Sequence, residues 1–287
     1  MRRMDNIMVK NNDWDLVIKS NNRWLDLKFA ELWYYRELIF LFAKRDFVAT
    51  YKQTILGPIW FFIQPLVSTV VFSIIFGKIA KIPTNNIPHY LFYLSGIIFW
   101  SFFSDCLTQT SSTFSANAGI FGKVYFPRLI VPLTIVINSL VKLLIQIILF
   151  LSFLIYYLSQ GMELNSNYYL FLLPVLLLQT AMLGLGFGLV ISSLTTKYRD
   201  LSMLVSFGVT LWMYATPVVY PLSEVPTSLL SLYRMNPLVG IITNFRYAVW
   251  GVGQPESMFF SWVFTFIILF LGIIVFTKVE KTFMDTV

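Results

Sequence analysis

Cysteine and histidine occur once each in 287 residues, as Cys106 and His89. That excludes a disulfide scaffold and leaves too few ligands for a zinc-type metal site. A Ser-His-Asp triad would have to use His89, which sits in a short connector beside Pro88. Charge is scarce as well. Only 12% of residues are charged, against about 25% in a soluble domain. No phosphate-binding loop is present: FGKIAK and FGKVYF contain Gly-Lys but lack the earlier glycine and the following Ser/Thr. No two carboxylates share an apolar stretch, and Asp105 is the one acid within any of them. The chain thus has no nucleotide site or cofactor of its own to expect, and no hydrolytic centre. Net charge is +7, but the cations are scattered among acids and form no stripe for nucleic acid. No cleavable leader is expected, because the first apolar run begins near Ile55, behind a long polar segment.

What the chain does have is hydrocarbon. Apolar residues make up 57% of it, and a helix needs roughly 20 of them to cross a ~30 Å core. Six stretches qualify: Ile55–Phe76, Pro88–Thr108, Leu129–Tyr157, Tyr168–Leu194, Leu201–Tyr220 and Ser257–Phe276. The fold class is all-α, a polytopic membrane protein, with residues 1–53 as a cytoplasmic N-terminal segment and 54–287 as the six-span domain. Sixteen Lys/Arg fall in the termini and the connectors 109–128 and 195–200, against four (Lys78, Lys81, Arg234, Arg246) on the opposite side. The positive-inside rule puts both termini and those two connectors in the cytoplasm.

Two segments fit neither a span nor a plain loop. Glu31–Thr50 is helix-prone and aromatic, with no uncharged run long enough to cross. It reads as a helix in the cytoplasmic interface with Trp33, Tyr34 and Tyr35 at headgroup depth, or as a packed cytoplasmic helix touching a partner. Tyr220–Gly251 is on the outer side yet largely apolar, and Pro221, Pro226, Pro237 and Gly240 break it into pieces. Short re-entrant or interfacial helices suit it, as a lid or as a gate.

Polar residues recur along the spans. Ser101, Ser104, Asp105, Thr108 and Ser112 share one helix face; Ser202, Ser206, Thr210 and Tyr214 share another; Gly57, Phe61, Gln64 and Ser68 a third. One such line is ordinary helix–helix bonding, worth ~0.6 kcal/mol per contact; three suggest a shared lumen. Gly184, Gly188 and Ser192 form a small-residue face suited to close helix contact. Lys142, inside the third span, is expected to snorkel, to pair with Asp105, or to face an anionic cargo. Aromatics are 18% of the chain, many at interfaces such as Trp60–Phe62 and Trp212–Tyr214. Their faces can also stack on sugar rings.

The motifs YYRELIFLFAKRDFVATYKQTILGPIWFFIQPL, FGKIAKIP, NAGIFGKVYFPRLIVPL, KYRDLS, WMYATPVVYPLSEVP and MNPLVGIITNFRYAVWG follow in this order. From Trp24 onwards the chain resembles the membrane subunit of type-2 ABC transporters that export polysaccharides, including O-antigen and teichoic acid permeases. The resemblance implies a homodimer of six-span subunits with two copies of a cytoplasmic ATPase, which would hold the ATP and Mg²⁺. It implies that the 109–128 connector couples to that ATPase through Asn117, Gly119, Lys123, Tyr125, Phe126, Pro127 and Arg128, the aromatics and Val124 plugging a groove on the partner. It implies a glycan channel walled by Trp60, Phe61, Gln64, Ser68, Trp100, Ser104, Ser206, Thr210, Trp212 and Tyr214. The outer gate would involve Pro221, Asn236, Pro237, Phe245 and Arg246. Lys44, Arg45 and Lys52 become candidates for the lipid pyrophosphate of the cargo. Lys142 departs from the family, where a polar or acidic residue is expected, so charge arguments from relatives do not carry over there.

The function expected is export of a lipid-linked polysaccharide across a bacterial inner membrane. Teichoic acid, drug or small-lipid export by the same architecture is the alternative. A membrane glycosyltransferase would need catalytic carboxylates, and Asp200, Glu163 and Glu224 are isolated; a scaffold would leave the polar lines unexplained.

Overall fold

The computed structural model describes residues 29–52, 54–198 and 200–283. The polar stretch before Trp24 and Arg199 of the second cytoplasmic connector lie outside them. Every regular element among the described residues is helical. In chain order they are α1 (Phe29–Tyr34), α2 (Arg36–Tyr51), α3 (Trp60–Phe72), α4 (His89–Ser111), α5 (Thr113–Phe121), α6 (Ile130–Ser159), α7 (Leu173–Thr195), α8 (Leu201–Tyr214), α9 (Thr227–Arg234), α10 (Pro237–Trp250) and α11 (Phe259–Phe283).

Five helical stretches are long and apolar enough to cross a membrane: Gly57–Ile79, His89–Ser111, Ile130–Ser159, Tyr168–Thr195 and Phe259–Lys281. They match five of the six predicted spans. The remaining one is shorter than its sequence suggests. Helix α8 has 14 residues, a rise of about 21 Å. Residues 215–220 then leave helical geometry, as Pro217 demands. Yet Thr216, Val218 and Val219 are buried, so this irregular backbone is enclosed by protein.

The first span is helical but uneven. Pro65 lies inside α3 and cannot donate to the carbonyl one turn back, while the Thr69 hydroxyl donates to the Pro65 carbonyl at 2.7 Å. The helix then widens into a π-helical turn over Ser73–Ile79, where a Cβ on Gly77 would strike the His89 ring at 2.3 Å. The third and fourth spans begin with Pro132 and Pro174 in their first turn, where a missing amide hydrogen costs little.

Helix α4 is the centre of the bundle. Sixteen of its 23 residues are buried, and they anchor the larger apolar cluster together with α6, α7 and α10. A second cluster lies towards the predicted cytoplasmic side: Phe114, Phe121, Phe126, Ile130, Val131, Leu189 and Phe276. Helix α2 packs on it through Leu38, Ile39 and Phe42 and leaves Phe40 and Leu41 exposed, while Trp33 and Tyr34 are exposed at the end of α1. Neither face of α2 is therefore simply oily, which accounts for the absence of a clean apolar stripe in its sequence.

Backbone approaches hold α7 in place on two sides. A Cβ on Gly184 would lie 2.7 Å from the Cys106 Cβ and 3.0 Å from the Phe103 carbonyl; one on Gly188 would lie 2.5 Å from Thr110. The small-residue face read in the sequence thus lies against α4. The opposite face meets α11, where a Cβ on Gly272 would fall 2.7 Å from the Gly186 carbonyl. Replacing Gly184 by Ala is expected to destabilise the purified protein by about 1–3 kcal/mol through overpacking. Gly208→Ala, at a position with open space around it, is expected to leave it unchanged or slightly firmer. Thermal unfolding in detergent distinguishes the two.

Candidate functional site

A polar cleft opens between α3, α4, α6 and α8, with a volume of about 240 Å³. Its chemistry comes from two ionisable residues in otherwise apolar helices. Lys142 Nζ and Asp105 Oδ2 are 2.7 Å apart, each side chain about one-fifth exposed. The pairing expected across the antiparallel helices α4 and α6 is present. Around it the Ser101 hydroxyl donates to Gln146 Oε1 at 2.9 Å, and the Lys142 ammonium lies 5.8 Å from the Phe61 ring centroid. Gln64, Ser68, Trp100 and Ser104 complete the lining. Two predicted polar lines, on the first and second spans, therefore meet on one cleft. Gln146 escaped the sequence reading, although it lies one turn beyond Lys142 on the same face of α6.

The other predicted wall residues are distributed differently. Ser206, Thr210 and Tyr214 are on the exposed side of α8, where Thr210 donates to the Ser206 carbonyl at 2.9 Å and Ser206 to that of Ser202 at 3.2 Å. Trp60 is also exposed. Trp212 instead packs inward, 5.1 Å from both Phe103 and Phe187. Phe61 is buried beneath the ion pair. Helix α8 has one buried residue, Val209, so nearly all of its surface faces outwards from this chain.

The 109–128 connector forms the short helix α5 followed by the turn KVYFPR. The turn splits its two aromatics. Val124 and Tyr125 are exposed, whereas Phe126 is 5% exposed and packs edge-on against Phe42 of α2 at 5.5 Å. Phe126 thus wedges the connector onto the bundle, and the outward surface is left to Lys123, Val124 and Tyr125. Pro127 is buried and Arg128 half-buried. Arg128 is tied to the end of α11: its backbone N–H donates to Glu280 Oε1 at 3.2 Å and its Nη1 to the Glu280 carbonyl. Burial pulls the Arg128 guanidinium below its usual pKa, and the Glu280 carboxylate works against that. On α5, Asn117 donates to the Thr113 carbonyl and Gly119 faces open space. Helix α11 also reaches this module through Phe276, stacked 4.5 Å from Phe114.

On the predicted outer side, MNPL begins α10 for a local reason. Asn236 Oδ1 accepts from the Leu238 N–H at 3.1 Å as an N-cap, and Pro237 occupies the first turn. The Asn236 amide also donates to the Ala215 carbonyl at 2.9 Å, binding α10 to the end of α8. Helix α10 is nearly all buried, and Phe245 lies 4.8 Å from Phe99. Arg246 is 6% exposed. Its Nε donates to Ser95 Oγ at 3.1 Å, its Nη1 to the Pro217 carbonyl at 2.6 Å, and its Nη2 to the carbonyls of Phe92 and Val218 at 3.0 and 3.2 Å. The guanidinium lies 3.6 Å over the Phe92 ring. A buried cation is tolerated only when its donors are satisfied; here carbonyls from two segments do so. Pro221, also named for the gate, is buried beside this assembly.

Of the candidates for a lipid pyrophosphate, Lys44 and Lys52 are exposed. Arg45 is engaged by its neighbour Asp46 at 2.7 Å and stacks 4.4 Å over Phe42.

Known proteins resemble the chain along most of its length. An O-antigen export system permease protein RfbA of Klebsiella pneumoniae is 28% identical over 256 residues, covering 88% of this chain and 96% of its own length. The RfbA protein of Myxococcus xanthus is 27% identical, covering 79% and 85%. The polysialic acid transport protein KpsM of Escherichia coli is 23% identical, covering 87% and 95%. Residues 37–250, from α2 through α10, match the ABC-2 type transporter model, and the chain belongs to that family of multi-pass membrane proteins.

Proposed function

We propose that the protein is the membrane subunit of an ATP-driven exporter that moves a lipid-linked polysaccharide out of the cytoplasm of a bacterium, through its inner membrane. The observation that carries this reading is the near end-to-end similarity to three permeases whose names specify O-antigen or polysialic acid. Two such subunits would enclose the passage, with α8 and α3 among the helices available to face it or the second copy. In that reading α8 and the enclosed 215–220 segment cross together as the fifth of six spans, α9 and α10 form the outer gate, and both termini are cytoplasmic. A separate ATPase, in two copies, would hydrolyse ATP with Mg²⁺ and push on Lys123, Val124 and Tyr125. Loss of the gene is expected to trap finished glycan inside the cell; undiminished surface display would refute the reading.

The split within KVYFPR makes the docking role testable. Tyr125→Ala and Val124→Ala, both at exposed positions, are expected to change stability by less than about 0.5 kcal/mol while lowering export and uncoupling ATP hydrolysis from it. Phe126→Ala is expected to lose about 3–5 kcal/mol of stability and to act through folding. Thermal unfolding measured beside surface display separates the two kinds of loss.

The cleft makes a second demand. Neutralising Asp105 or Lys142 alone strands one charge at mid-membrane. The two are partly exposed, so the cost should fall below the ~3–5 kcal/mol of a fully buried pair. Asp105→Asn and Lys142→Gln are each expected to reduce membrane level and export. The reversed pair Asp105→Lys with Lys142→Asp should recover membrane level, as read by immunoblot; recovery of level without export would mean that Lys142 also contacts cargo.

A further inference from the structure

A second cavity, of about 260 Å³, lies on the outer side above Arg246, where the gate helices meet the connector before α4. It is distinct from the membrane cleft and shares no lining residue with it. Its size falls just under the ~300–1,000 Å³ of sites for drug-sized ligands, which suits one small ring.

The walls are built rather than incidental. Glu256 is gripped by Asn244 in both directions: the Asn244 amide donates to the Glu256 carbonyl at 3.0 Å, and the Glu256 N–H donates to Asn244 Oδ1 at 2.9 Å. Its carboxylate takes Arg234 Nη2 at 2.8 Å across the mouth. Opposite stands Asn85, which accepts from the Ser223 hydroxyl at 3.3 Å. Asn85 and Asn86 both adopt left-handed backbone, with φ of 52° and 63°, and Lys81 does so in the same connector at 53°. Three non-glycine residues in that region within one short connector is uncommon, and such strain concentrates where side chains are aimed for a purpose. Arg246, nine-tenths buried, supplies the floor. Gln254 on the exposed 251–256 segment adds an amide at the rim.

This chemistry selects a ligand. A guanidinium and a carboxylate fixed side by side offer a donor and an acceptor to adjacent hydroxyls. The amides of Asn85 and Gln254 can do either. Leu222, Leu230 and Val252 give one apolar patch. A ring with hydroxyls round its edge and C–H groups on its face matches both. We infer that this outer cavity is a saccharide subsite, which holds one sugar unit of the exported chain as it leaves between the gate helices. The inference rests on the proposed export function. Arg234 and Arg246 against Glu256 leave the cavity with one net positive charge, so an acidic sugar fits as readily as a neutral one.

The single native cysteine makes a direct test available, because Cys106 is fully buried and should not react with a polar thiol reagent. Gln254→Cys would be introduced into the full transporter, and Ser223→Cys used if the first variant fails to reach the membrane. Labelling by a charged methanethiosulfonate reagent would then be followed in whole cells permeabilised only at their outer layers. Cells making their own surface glycan would be compared with cells in which its synthesis is blocked. A subsite filled four-fifths of the time slows labelling about fivefold by mass action. Leu229→Cys, exposed on α9, should label equally in both. Adding Asn85→Gly, which keeps the backbone conformation and removes the amide, together with Arg234→Gln should abolish the protection in protein that reaches the membrane at the parent's level, as read by immunoblot. Equal labelling with and without glycan, in a strain that displays it, would overturn the subsite and leave export standing. Protection that survives the double substitution would mean polymer passing by without being held, and would also overturn it. Display that persists after loss of the whole gene would defeat the export reading itself.

Discussion

Hydrocarbon offers no hydrogen bonds, so every peptide group placed in it must be satisfied from within the protein. The structure meets that requirement in two ways. Long helices do it locally. The enclosed turn after α8 does it through side chains from α10 and its cap: Arg246 donates to the carbonyls of Pro217 and Val218 on the turn and of Phe92 on α4, and Asn236 to that of Ala215. The same contacts settle the cation and the backbone at once, each supplying what the other lacks. Gly96 is part of this solution, since a Cβ there would come within 2.9 Å of the Val218 Cα.

The two ends of the molecule are organised on the same plan, by side chains bonding to main chain across long separations in sequence. At one end the KVYFPR turn is joined to α11 through Arg128 and Glu280. At the opposite end α11 contributes Ser261, whose hydroxyl donates to the Pro237 carbonyl at 2.9 Å and accepts from Gln179 Nε2 at 2.7 Å. One helix therefore touches both the 109–128 connector and the first turn of α10. Between them lies the cleft, where Asp105 and Lys142 carry opposite charges inside α4 and α6.

Much of this was legible in the sequence because it rested on scarcity or on local rules. Asp105 and Lys142 were the only Asp, Glu, Lys or Arg in the predicted spans, so each was the other's natural partner. Gly184 and Gly188 announced a close helix contact by spacing alone, and Pro237 announced a break in the apolar segment, where α10 begins. Other features were illegible for physical reasons. Hydropathy cannot tell a buried irregular segment such as 215–220 from helix, because both exclude water, and so the fifth span read as longer than α8 is. Periodicity is of no help in a six-residue turn, so the opposite orientations of Tyr125 and Phe126 had to be seen. Arg128–Glu280 and Gln179–Ser261 join residues 152 and 82 positions apart, and nothing local to either partner signals the other.

The glycine contacts of α7 carry a mechanical consequence. Where two backbones touch, as at Gly186 and Gly272, no side chain remains to change rotamer and let one helix slide past its neighbour. Helices α4, α7 and α11 thus behave as a stator. Any girth that a conduit would have to gain for a bulky chain falls to α3, softened by Pro65 and its π-helical turn, and to α8, whose inward side is one narrow strip of Val205, Val209, Trp212 and Met213.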